Sequence, residues 1–154
     1  ELKSIPLDTG KSKKWLANSS GKMDIAYDQA EQADVFNVEF KPATDFWAYP
    51  ELPLDKLNIQ GGLKGAVGLS FEIKATQPGS ENKFVCANVM VVIKGNGHVM
   101  LPFTQPTSEW QTYTVALRLP PEMDYSRLEK IRIGMNPSQT HVTFKIRNIR
   151  ILKK

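Results

Sequence analysis

A single cysteine, Cys86, is all the sequence carries, so no disulfide can form within the chain and the fold must be held by its core. Cys86 lies in an apolar alternating run, which predicts a buried, inert thiol. Histidine is nearly as scarce: His98 and His141 fall at different strand ends, with no Cys, Asp or Glu at metal-ligand spacing. No Gly-x-Ser-x-Gly elbow is present to expose a nucleophile. The glycine-rich stretch 61–68 lacks the spacing and the Lys-Ser/Thr ending of a phosphate loop, and reads as a connector. No apolar run approaches the ~20 residues of a membrane-spanning helix, so no membrane partner is expected. The net charge of +4, from 20 basic and 16 acidic residues, is spread along the chain. A nucleic-acid binder would cluster it, so none is expected as a partner. The C-terminal half is the more basic, through Lys130, Arg132, Lys145 and Arg147, which leaves an anionic ligand open.

What is present is alternation. A chain of 154 residues reads as one domain, residues 1–154, able to bury about 68–70% of its unfolded surface. Leu2, Ile5 and Leu7 suggest an N-terminal edge strand, and Met23, Ile25 and Tyr27 a second strand. After a polar connector over 29–34, Phe36, Val38 and Phe40 point inward against Asn37, Glu39 and Lys41. Trp47 and Tyr49 then share one face of a segment bounded by Pro50 and Pro53, which keeps it at an edge or in a loop. Residues 52–68 read as irregular connection with a helical turn near Leu54–Leu57. Leu69, Phe71 and Ile73 oppose Ser70, Glu72 and Lys74 in a further strand. Residues 84–93 are apolar on both faces, as a strand covered from both sides would be, and Lys94–Gly97 signals a hairpin into 99–103. Residues 110–117 follow, with Tyr113, Val115 and Leu117 inward, and Pro120-Pro121 stops them. Ser126–Glu129 can cap one helical turn.

The stretch 128–152 reads as two long strands joined by a short polar turn. Ile131, Ile133 and Met135, then Val142, Phe144 and Ile146, face the core, with basic residues opposite. About nine or ten strands, turn signals between them and no helix of ordinary length predict an all-β fold: an antiparallel two-sheet β-sandwich, in jelly-roll form.

The order of Trp110–Leu117, Leu128–Gly134 and Val142–Ile151, with Gly68–Lys74 earlier, resembles jelly-roll carbohydrate-binding modules of the galactose-binding-like type. The resemblance implies a structural calcium site in which Asn148 stands where the family usually carries aspartate. It also implies a non-catalytic, extracellular or cell-surface module, attached in a larger secreted protein to a catalytic domain and targeting it to polysaccharide. A start at Glu1 without initiator methionine agrees with a mature product or an excised piece.

A pyranose offers apolar C–H faces and a rim of hydroxyls, so its site needs a flat ring and planar polar groups. Trp47 and Tyr49 are the platform candidates, with Trp15, in a polar loop, and Trp110, at a strand start, as further rings. Asn37, Glu39, Glu72, Lys74, Arg132 and Asn136 lie on outward strand faces and can supply hydroxyl or carboxylate contacts. Two other functions compete: a structural or protein-interaction β-sandwich, and a jelly-roll lyase acting on acidic polysaccharide. Paired outward carboxylates such as Glu39 and Glu72 also occur in glycosidases.

Overall fold

The computed structural model describes residues 1–59, 61–79, 84–95, 97–118 and 128–154. Among the described residues ten strands form two antiparallel sheets packed face to face. The six-stranded sheet runs β2 (Lys22–Asp28), β3 (Ala33–Glu39), β10 (His141–Lys153), β5 (Ala66–Thr76), β8 (Gln111–Ala116), with β1 (Lys3–Pro6) paired to the far end of β10. The four-stranded sheet runs β4 (Glu51–Pro53), β9 (Leu128–Asn136), β6 (Cys86–Ile93), β7 (Gly97–Phe103). A 3-10 turn over Leu54–Lys56 follows β4. The β-sandwich expected from alternation is the fold observed.

Each strand sends alternate side chains into one core. Phe36, Phe71, Ile73, Phe144 and Ile146 come from the larger sheet and Val89, Val91, Ile131, Ile133 and Met135 from the smaller, all essentially inaccessible. Phe36 stacks on Phe144 with ring centres 5.0 Å apart. Burying such rings is the main favourable term, at roughly 1.5–3 kcal/mol per fully buried large apolar side chain.

Several expectations are corrected. β9 and β10 are not a pair within one sheet. The turn at 137–140 carries the chain from the smaller sheet to the larger, so the apolar rows of β9 and β10 face each other across the core. β3 begins at Ala33, inside the expected connector. β6 is central in its sheet but covered on its outer side only at Asn88, beneath Tyr49: Ala87, Val89, Val91 and Ile93 are buried in the core, whereas Met90 and Val92 are half-exposed on the outer face. Cys86 is likewise only half-buried. Leu128 and Glu129 open β9 rather than a helical turn. Ser126, Arg127, Pro120 and Pro121 lie outside the described residues.

Two local features place the site. Beyond β4 the chain Ala48–Glu51 continues along β9, with Ala48 N–H donating to Met135 O (2.9 Å) and Met135 N–H to Ala48 O (3.0 Å). Any side chain at Gly134 would run into the Ala48 carbonyl, so glycine is required there. The other edge of this segment pairs with residues 16–20 through Leu16 and Ser19. Ala48 therefore enters the core while Trp47 and Tyr49 turn to the outer face of the smaller sheet.

Candidate functional site

The outer face of the smaller sheet is built by three strands in register. Met90 of β6 stands between Arg132 of β9 and Met100 of β7, and Val92 pairs with His98. Trp47 comes over this row from the edge, and with Met90, Met100, His98, Arg132, Asn136, Tyr49 and Asn18 it lines a cavity of about 340 Å³. Trp47 is half-exposed and Met100 is 47% exposed, an apolar floor left open to solvent. Trp47, Tyr49, Arg132 and Asn136 are thus the sequence-derived candidates that the fold brings together.

Tyr49 differs from Trp47 in kind. It is 3% exposed, so it cannot serve as an open platform, a correction to the expectation from shared face parity. Its hydroxyl accepts from Asn88 Nδ2 (3.1 Å) and donates to Asn136 Oδ1 (2.5 Å), and burial pushes its pKa upward. Cys86 Sγ also donates to Asn136 Oδ1 (3.2 Å). The tyrosine therefore anchors the asparagine from beneath.

Arg132 is held at one edge. Its Nε donates to Glu51 Oε1 at 2.7 Å, and Nη2 lies 2.7 Å from the same oxygen. Lys130 Nζ approaches Glu51 Oε2 at 3.5 Å. Glu51, its side chain 12% exposed, is shared by two cations and fixes the guanidinium plane.

The remaining candidates lie elsewhere. Glu72, Lys74 and Trp110 are on the outer face of the larger sheet, across the core from Trp47, and are taken up by an ion-pair network. Glu31, from the β2–β3 turn, accepts from Lys74 Nζ (2.7 Å), Lys145 Nζ (2.7 Å) and Trp110 Nε1 (2.7 Å). These three donors, Lys145 first, hold its carboxyl at about 2. Asp28 also accepts from Lys145 (2.8 Å), and that bond lowers its pKa while raising that of Lys145. Arg147 covers the Trp110 ring, its Cζ 3.9 Å from the centroid, and its Nη2 lies 3.3 Å from Glu72 Oε1. Trp110, itself half-exposed, has Arg147 over its ring and Glu31 at its indole N–H. Asn37 is exposed on the same sheet and engages Thr143 Oγ1 (3.1 Å) and His141 Nε2 (2.5 Å), with Glu39 exposed beside Lys22.

Trp15 is corrected outright. It is 4% exposed, packs edge-on against Phe36 at 5.0 Å, and donates its indole N–H to Asp34 Oδ2 (2.8 Å). Thr9 (2.8 Å) and Ser12 (2.5 Å) complete the donors on that buried carboxylate.

Asn148 sits at a register shift of β10. Its Nδ2 donates to Glu72 Oε2, and Arg147 lies against the other oxygen of the same carboxylate. Lys11 and Arg150 line the adjoining cleft. Calcium takes about six to eight oxygen ligands with carboxylates among them. Asp8 and Asp34 line that cleft too, but Asp34 is taken by Thr9, Ser12 and Trp15, Asp8 lies 4.0 Å from Lys14 and Glu72 is held by Arg147, so the carboxylates around Asn148 are already engaged. Among the described residues no group of three or more His, Cys, Asp or Glu is placed to hold a metal.

A larger cavity, about 760 Å³, opens at the sandwich end between Leu16, Leu57, Leu63 and Leu128. Among the described residues no aromatic ring lines it, so it offers nothing for a sugar face to stack on.

Alternation alone did not reveal Met90, Met100, His98 or Asn18. The signal available was the Lys94–Gly97 hairpin, whose register sets Met90 opposite Met100.

No protein-family model matches the sequence, and a search of the curated proteins finds no relative. Solved structures do match. A point mutant of a family 29 carbohydrate binding module superposes with a TM-score of 0.64 at 12% identity, over 99% of this chain and 92% of that one. A mutant of the family 29 module CBM29-2 complexed with cellulohexaose gives 0.63 at 12% identity, over 98% and 91%. The family 11 module of the cellulosomal cellulase Lic26A-Cel5E of Clostridium thermocellum gives 0.61 at 17% identity, over 92% and 88%. The fold is that of jelly-roll carbohydrate-binding modules, as the resemblance implied.

Proposed function

We propose that this domain binds polysaccharide or oligosaccharide on the outer face of its smaller sheet, with no bond made or broken. The observation that carries the reading is Trp47, a half-exposed ring on a floor of Met90 and Met100, with Arg132 and Asn136 fixed at its rim. A sugar ring lays its C–H face on the indole and turns its oxygens to the guanidinium and amide. The likeness to modules solved with cellulohexaose and mannohexaose supports it. On this reading the chain is an accessory domain of a secreted protein, attached to a catalytic domain that it carries to its substrate.

Burial of all three tryptophans would have favoured a spacer between domains. Trp15 is buried; Trp110 and Trp47 are both half-exposed, but Trp110 carries Arg147 over its ring whereas Trp47 lines a cavity, and that ring favours binding.

Trp47→Ala is expected to remove glycan binding measured by affinity electrophoresis, and to move Tm by no more than about 4 °C. Unchanged affinity for a bound glycan would exclude Trp47 as the platform.

A further inference from the structure

We infer that the Trp47 site takes a sugar bearing an anionic substituent, a carboxylate or a sulfate ester, held by the free edge of Arg132. This rests on the glycan-binding reading and narrows it.

A guanidinium has five N–H groups. Glu51 takes the side-on pair, Nε and one hydrogen of Nη2. Among the described residues no other acceptor bonds Arg132, so the end-on pair, from Nη1 and Nη2, is left for a ligand while Glu51 keeps the plane rigid. Two parallel N–H groups in a fixed plane match a carboxylate or sulfate bidentately.

Asn136 adds a donor. Asn88 gives its N–H to the Tyr49 oxygen, Tyr49 gives its proton to Asn136 Oδ1, and the Cys86 thiol donates there as well. With its oxygen doubly occupied, Asn136 turns its NH2 toward the ligand. Arg132 and Asn136 share one strand and one face, so both rim groups are donors.

Acceptors are few by comparison. Among the described residues no carboxylate lines the cavity, and Glu51, the acid beside it, is spent on Lys130 and Arg132. Asn18 Oδ1 and the imidazole of His98 are the acceptor atoms that its polar side chains can still offer. A neutral hydroxyl both donates and accepts, whereas an anionic oxygen only accepts. The donor-rich rim fits the second.

The test is a glycan array carrying neutral, uronate and sulfated members, followed by titration of the tightest binder before and after its carboxyls are esterified or its sulfates removed. Expected is binding to anionic members that falls about tenfold or more on neutralising the glycan, falls with added salt, and falls about tenfold in Arg132→Gln. Arg132→Lys, which keeps the charge and loses the planar edge, is expected between the two, and a melting curve for each variant separates lost binding from lost fold. Preference for uronates or for sulfated members identifies which anion the edge holds. Neutral members bound as tightly as charged ones, with Arg132→Gln costing the same on both, would overturn the inference and leave the glycan-binding reading standing. Binding to no member would sink both.

Discussion

Asn148 has φ of +53°, a left-handed backbone that asparagine tolerates and branched residues do not. It sits where the register of β10 shifts, and the inward series Val142, Phe144, Ile146 resumes one residue late as Ile149 and Ile151. Its identity thus has a backbone reason that needs no metal. Asn148→Gly is expected to change stability by less than about 1 kcal/mol, whereas Asn148→Val is expected to cost roughly 1–3 kcal/mol, read by chemical denaturation. Equal effects from both would remove the backbone explanation. The skipped residue was visible in the sequence as a break in alternation. Trp15 was not legible in the same way, because the acceptor that lets its indole be buried is Asp34, nineteen positions on, and local pattern carries no such partner. Tyr49 escaped for a similar reason: face parity placed it correctly, but its cover and its bonds to Asn88 and Asn136 come from distant strands.

Among the elements, the β2–β3 turn is fastened to the larger sheet through Glu31 and Asp28. Both carboxyls have pKa values below their ordinary range, Glu31 at about 2. A carboxylate more acidic folded than unfolded adds stability that is full above its unfolded pKa, about 4.3, and drains away as pH falls toward 2. Tm is therefore expected to drop between about pH 4.5 and 2, and Glu31→Gln to flatten that slope while lowering Tm at neutral pH. Parallel Tm-against-pH curves for the two proteins would refute the assignment. Alternation gave nearly every strand and its inward face, since a period of two is local. It could not give pairing: β9 and β10, joined by a short turn, read as neighbours and belong to opposite sheets. Pairing depends on contacts far apart in sequence, and so did the gathering of Trp47 with Met90 and Met100.

For the molecule as a whole, the two outer faces have opposite characters. The larger sheet closes its face with its own ion pairs around Trp110, and the smaller leaves a ring, two methionines and a guanidinium edge open. Each is held by bonds among its own side chains. Excess EDTA and millimolar calcium are expected to give the same Tm, and a rise with calcium of more than about 4 °C would show that the domain holds a cation. β9 lies between β4 and β6, and β10 between β3 and β5, so each sheet is joined through a strand from the last 27 residues. Remove that stretch and the remaining strands fall into separate hairpins and single ribbons. A ribosome delivers it after every other strand of the domain. Neither sheet can close while the earlier strands are emerging, so assembly waits until this stretch has been made and then proceeds as one concerted, long-range and correspondingly slow event.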